Sequence, residues 1–155
     1  MLDLFEDGAS PCSTAGDVLK PEFPFDSSVA VGRYQGTAGR EYQQSKREIP
    51  PQAFPWVARL RARKLVPWIR AEDAALEYGV GLGWNLAALH CRRRLGFDVA
   101  DFVAPELRDR GIEFVPRTQE LPTGMADVVI CHHTLEHVLD PPGVLAEIRR
   151  LLRPE

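Results

Sequence analysis

Ala74-Ala75-Leu76-Glu77-Tyr78-Gly79-Val80-Gly81-Leu82-Gly83 is a short, mainly apolar run that stops at three alternate glycines. A run of this kind, bounded by glycines, reads as a buried strand. Glycine permits φ > 0 and lets the backbone approach a ligand closely, so the cluster reads as a turn out of the strand. Trp84 to Leu95 follows, and the placing of Leu86, Leu89 and Leu95 predicts a helix that ends at Gly96. Strand, glycine turn and helix together read as a cofactor loop, because a helix start offers free N–H groups. A purely structural β-to-α turn is the plainer alternative.

The alternation continues towards the C-terminus. Val99 to Val103 reads as a second strand, Pro105 to Arg110 as a short helix closed by Gly111, and Ile112 to Pro116 as a third strand. Asp127-Val-Val-Ile-Cys131 is the strongest strand signal in the chain. Pro141 to Arg153 reads as a helix with Val144, Leu145, Ile148, Leu151 and Leu152 along one apolar stripe. Alternating β and α with short connections predicts an α/β fold, a parallel sheet covered by helices on both faces.

The glycine spacing does not fit the dinucleotide pattern G-x-G-x-x-G. The form E-x-G-x-G-x-G resembles instead the first motif of class I S-adenosylmethionine-dependent methyltransferases. The likeness extends to Asp127 opening the fourth strand, to Leu135-Glu136-His137-Val138-Leu139-Asp140, and to Leu151-Leu152-Arg153-Pro154. It covers residues 71 to 155 and implies a Rossmann-like domain whose cofactor is S-adenosylmethionine. By this resemblance Gly79, Gly81 and Gly83 pass under the amino-acid part of the cofactor. Glu77 fixes the loop or meets the cofactor's ammonium through water.

The acid that holds the ribose in this family aligns with Val103, and Asp101, two residues earlier, shares its strand face one step deeper. Near the adenine, Arg117-Thr118-Gln119-Glu120 replaces the usual acid, and Gln119 or Glu120 serves the amino group. His132, His133 and His137 follow strand four, where the methyl group faces the acceptor in this family. His132 is assigned to the cofactor, and His133 or His137 to removing a proton from the acceptor. The family sheet has the strand order 3-2-1-4-5-7-6, and the chain stops at Glu155 where the fifth strand would follow. Strands five to seven are therefore expected to be absent, with strand four an exposed edge available for pairing with another copy.

His133-Thr-Leu-Glu-His137 also satisfies H-x-x-E-H, the inverted zinc-peptidase signature. That motif must lie within a helix, whereas this one leaves a strand and runs into Asp140-Pro141-Pro142. No metal site is expected.

Ahead of the strand the chain divides by charge. Residues 1–28 carry −5 and mix Gly, Ser, Pro and acids without any period, which predicts a flexible tail. Residues 29–70 carry +7. Val29 to Glu48 reads as a polar surface loop around Tyr34 and Tyr42. Residues 51–68 read as an amphipathic helix with Phe54, Val57, Leu60, Leu65 and Trp68 on its apolar face. Together they would form the lid and substrate side.

The 155 residues suit one core, and the net charge of −3 gives no global field for nucleic acid or membrane. Cys12, Cys91 and Cys131 are too scattered for a disulfide framework, and the acidic N-terminus is unlike a signal peptide, so a cytoplasmic location is expected. The function these residues imply is S-adenosylmethionine-dependent methyl transfer to an unidentified small-molecule acceptor. The alternative is a truncated, non-catalytic scaffold that binds a partner through its exposed strand or basic helix.

Overall fold

The computed structural model describes residues 32–45 and 50–154. The expected tail, residues 1–28, lies outside them. Four parallel strands carry the structure: β1 (Ala74–Tyr78), β2 (Arg93–Phe97), β3 (Glu113–Val115) and β4 (Val128–Cys131). Their order is β3-β2-β1-β4, so the class and sheet order are those the sequence predicts.

β1 lies between β2 and β4 and is buried from Ala74 to Glu77, which explains its small apolar composition. Asp127 enters β4 with its carboxylate accepting the Ala74 N–H at 2.8 Å and pairing with Arg153.

Among the described residues five α-helices pack around this sheet: α1 (Gly36–Ser45), α2 (Phe54–Leu65), α3 (Trp84–Ala87), α4 (Ala104–Asp109) and α5 (Pro141–Leu151). Ala62 of α2, Leu86 of α3 and Leu107 of α4 meet Ala75, Val103 and Ile130 on one face. Leu151 of α5 meets Leu76, Leu95, Val115 and Ala126 on the other. Helices thus cover both faces, as βαβ units require.

Five expectations change. The helix predicted over Trp84–Leu95 is a single turn, α3, because the chain must return within fourteen residues to pair β2 beside β1. Leu95 belongs to β2, opposite Leu76, on the other side of the sheet from Leu86 and Leu89. The strand predicted over Val99–Val103 is instead a loop and a 3₁₀ turn, Asp101–Val103.

The third change is α1, a ten-residue helix where the sequence predicts a polar loop. Gly39 lies at its contact with the body, where a Cβ would run into the Tyr34 carbonyl and come within 2.9 Å of the Phe102 ring. The fourth concerns the buried face of α2. It is formed by Ala58 and Ala62 with half-buried Phe54 and Leu65, while Leu60 and Trp68 of the expected stripe are exposed. Small side chains let α2 approach closely, with Phe54 stacked on Trp84 at 5.5 Å.

α5 starts where Asp140 accepts the Gly143 N–H at 3.0 Å, with Pro141 in the first turn. Its Leu145 is exposed, against the predicted stripe.

Gly83 sits at the N-cap of α3 with φ +75°, and a Cβ there would lie 2.5 Å from Leu107 Cδ2. Gly81 has φ +52° and open space around its Cβ position. Gly83→Ala should therefore cost about 2 kcal/mol and Gly81→Ala about 1 kcal/mol, read from urea unfolding midpoints. Equal losses would contradict the packing role of Gly83.

Candidate functional site

The C-terminal ends of β1, β2 and β4 face one cavity of about 650 Å³. Its floor is Tyr78, Gly79 and Gly81 leaving β1, then Phe97, Asp98, Val99 and Ala100 leaving β2. Gln119 adds to the wall, and Gly143, Val144 and Glu147 of α5 flank it. His133, Thr134 and His137 arrive from the segment after β4, and Tyr34, Gly39 and Tyr42 from α1 and its approach. Ligand sites at the carboxyl ends of parallel strands follow from this topology.

The glycine turn is clamped to the end of β2. Gly79 N and Val80 N both donate to the Phe97 carbonyl, at 2.8 and 2.9 Å. Gly81 N donates to Asp98 Oδ2 at 2.7 Å, while Asp98 Oδ1 accepts from Ala100 N at 2.9 Å. Asp98 lies mostly out of water, and burial raises its pKa despite these donors. On the β4 side, Thr134 Oγ1 donates to the Tyr78 carbonyl at 3.1 Å. That contact uses the space a Cβ on Gly79 would fill, since such an atom would collide with Thr134 Oγ1.

Glu77 lies beneath the turn, 1% exposed, and does not line the cavity. Its Oε1 accepts from Asn85 Nδ2 at 2.7 Å, and its carboxyl accepts the Leu86 N–H. Gly83 gives α3 no side-chain cap, so Glu77 satisfies the helix start from the strand below. Glu77 Oε2 has no partner.

The other expected site residues separate. Gly79, Gly81, Gln119, His133 and His137 line the cavity, whereas Gly83 packs against Leu107 and Ile112. Asp101 is exposed in its 3₁₀ turn and does not reach the wall. Glu120 also stays outside and pairs with Arg117 at 2.5 Å. His132 faces a different groove, beside β4 and Trp68.

The sequence reading missed Asp98. With strand two placed at Val99–Val103, the acid that follows β2 falls in front of the strand and is overlooked. The available signal is Leu95-Gly96-Phe97-Asp98, an apolar run ending in an acid.

His133 is the one non-glycine with positive φ among the described residues, at +55°. Its Nδ1 lies 3.4 Å from Glu136 Oε1. Strained backbone of this kind persists where the surroundings over-determine it. The H-x-x-E-H segment is a loop followed by a 3₁₀ turn, Leu135–His137, so its two histidines do not share the face of an α-helix.

The profile of the methyltransferase-domain family matches residues 46–155. None of the curated proteins matches the sequence. Among solved structures the fold resembles magnesium protoporphyrin IX methyltransferase from Synechocystis with bound S-adenosylhomocysteine. That match has a TM-score of 0.59 at 16% identity and covers 81% of this chain and 68% of the other. An S-adenosylmethionine-dependent methyltransferase from Thermotoga maritima gives 0.56 at 22% identity, over 81% and 56%. A Haloferax volcanii methyltransferase solved with its Trm112 activator gives 0.54 at 23% identity, over 66% and 50%. The chain spans about half the length of the solved structures it matches.

Burial pushes the Glu77 carboxyl from 4.5 up to about 7. The folded chain thus holds this proton more tightly than the unfolded chain does. Stability is greatest below pH 4.5 and falls as pH rises through 7, a loss on the order of 3 kcal/mol from this group. The upward shift of Asp98 acts in the same direction. Glu77→Gln keeps an acceptor for Asn85 and removes the buried charge. Chemical denaturation should find it more stable than the parent at pH 8, with the advantage gone by pH 5. A parallel pH profile for the two proteins would contradict the burial argument.

Proposed function

The chain belongs to the methyltransferase-domain family, and on that premise we propose that it binds S-adenosylmethionine in the cavity and methylates a small-molecule acceptor. The observation that carries this reading is the clamp between Gly81 N and Asp98 Oδ2 on the cavity floor. Nothing lies within 4 Å of the Cβ position of Gly81, so the turn leaves a cradle that any side chain would fill. The orphaned Glu77 Oε2 below it suits a positively charged amino-acid group above, reached through water.

In this assignment the backbone of Gly79 and Gly81 admits the amino-acid end of the cofactor, and Glu77 fixes the turn. Asp98 takes the ribose-holding role first assigned to Asp101, since its carboxylate lines the cavity and the ribose hydroxyls are donors. Gln119 serves the adenine amino group, while Val99 and Ala100 supply an apolar wall.

When bound, the cofactor supplies a methyl group on a sulfonium centre. The chain has to position that group, exclude water and, for a protonated acceptor, take up a proton. His133 is the base we assign. Glu136 Oε1, 3.4 Å from Nδ1, favours the proton on that nitrogen, which leaves Nε2 to receive the acceptor's proton. His137 is placed beside Tyr34, their ring centroids 6.1 Å apart, at the acceptor side.

Tyr34 and Tyr42 meet edge to face at 5.0 Å and, with α1, form the lid. The scattered cysteines suit a cytosolic location.

Calorimetric titration with S-adenosylmethionine and S-adenosylhomocysteine tests the reading. Micromolar binding is expected, abolished by Gly81→Arg and weakened about tenfold or more by Asp98→Asn. A folded chain that binds neither ligand would return the reading to the non-catalytic scaffold. Tyr34→Ala and Tyr42→Ala should each weaken cofactor binding or turnover several-fold. Unchanged values in both would remove the lid.

A further inference from the structure

From Ile49 to Ala71 the chain has no acid and five bases, Arg59, Arg61, Arg63, Lys64 and Arg70. The remainder of the chain carries −8. Arg59, Arg61, Arg63, Lys64 and Arg70 are all exposed, and among the described residues none of them forms a salt bridge. Isolated bases on a helix are usually a solvated face. Here Arg59 and Arg63 share that face with large apolar groups.

Trp56 is 58% exposed, Leu60 40%, Val66 54% and Trp68 76%. Trp56 and Leu60 are one helical turn apart, and Arg59 and Arg63 form a parallel row beside them. Ala58 and Ala62, on the opposite side, are buried, and Ala62 joins the core against the sheet, so the apolar ridge cannot be the packing face of α2. Trp56 and Leu60 form an apolar row with Arg59 and Arg63 beside it, while Trp68 turns towards β4 and lines the groove there with Leu65 and Ile69.

We infer that the outer face of α2 docks on an anionic phospholipid surface. Arg59 and Arg63 meet lipid phosphates and carboxylates, while Trp56 and Leu60 enter the headgroup boundary, where indole is favoured. No helix among the described residues is long and apolar enough to cross a membrane. The contact is therefore peripheral, with α2 lying in the plane of the surface.

Nucleic acid would satisfy the same bases and could stack on the indoles. It offers nothing for Leu60, whereas a bilayer buries it. Charge complementarity is local, because the rest of the chain is acidic and an anionic surface would repel it. That orients the protein with α2 towards the lipid.

Trp fluorescence separates these cases, because Trp84 is stacked on Phe54 and under Arg110, 4.2 Å from its ring, and serves as an internal reference. Vesicles of phosphatidylcholine alone and of phosphatidylcholine with phosphatidylserine are compared by emission shift and co-sedimentation. A blue shift and sedimentation are expected only with phosphatidylserine, weakening as salt rises. Arg59→Glu with Arg63→Glu should reduce partitioning more than tenfold. Trp56→Ser with Leu60→Ser should abolish the shift from that part of the face, with unchanged circular dichroism in both variants.

No partitioning at low salt would overturn the proposal, as would binding insensitive to these substitutions or equal on both vesicles. Tighter binding to single-stranded RNA than to vesicles would overturn it in favour of nucleic acid.

Discussion

The hydrogen bond from Gly81 N to Asp98 Oδ2 ties the glycine turn to the end of β2, and the rest of the site is arranged around it. β1 and β2 lie side by side in parallel register, so their C-terminal ends emerge at the same edge. Two backbone donors reach the Phe97 carbonyl and a third reaches the next side chain. A turn with alternate glycines has more backbone freedom to lose than other sequences. These donors offset that loss and hold the turn open towards the cavity. Thr134 secures the opposite side by filling the space beside Gly79. The floor is thus set by backbone geometry before any ligand enters.

A cost accompanies this arrangement. Among the described residues four buried polar atoms lack partners, and three of them, on Glu77, Trp84 and Asn85, surround the start of α3. Glu77 could be replaced by an apolar residue in a strand this buried, at a gain in stability. Its presence makes sense only if the carboxyl does something a methyl could not. Capping α3, whose N-cap is a glycine, is one such role, and the remaining oxygen is free for a second. Stability has been exchanged for polarity directly under the turn, the kind of compromise associated with functional sites.

The sequence shows the strongest parts of this plan. β1, β4 and β3 are bounded by turns and carry apolar side chains, so their positions are legible. β2 is not, because Arg93-Arg94-Leu95-Gly96-Phe97 has poor strand propensity and only Leu95 and Gly96 are buried. Its first arginine is explained by a partner in space: Arg93 pairs with Glu113 of β3 at 2.8 Å. Its glycine is explained by Val80, whose methyls would lie 2.9 Å from a Cβ at Gly96. Neither contact can be read from local pattern. With strand two read over Val99–Val103, Asp98 falls ahead of the strand, and Asp101 is the acid the pattern offers. α1 escaped for a related reason: its apolar contacts are few, and tertiary packing at Gly39 decides its form.

That packing bears on how the cavity could respond to a ligand. Gln35 Nε2 donates to the Val99 carbonyl at 3.1 Å, and Arg40 lies over the Phe102 ring at 4.8 Å. Gly39 approaches the same ring. Every one of these contacts falls on residues 99–102, immediately after Asp98. The floor and α1 therefore meet on one stretch of chain: Phe97 and Asp98 accept from the glycine turn, and residues 99–102 carry the contacts of Gln35, Gly39 and Arg40. A ligand that engages Asp98 acts on the segment that seats α1. Asp98 and the seat of α1 thus lie on one short segment, residues 98–102.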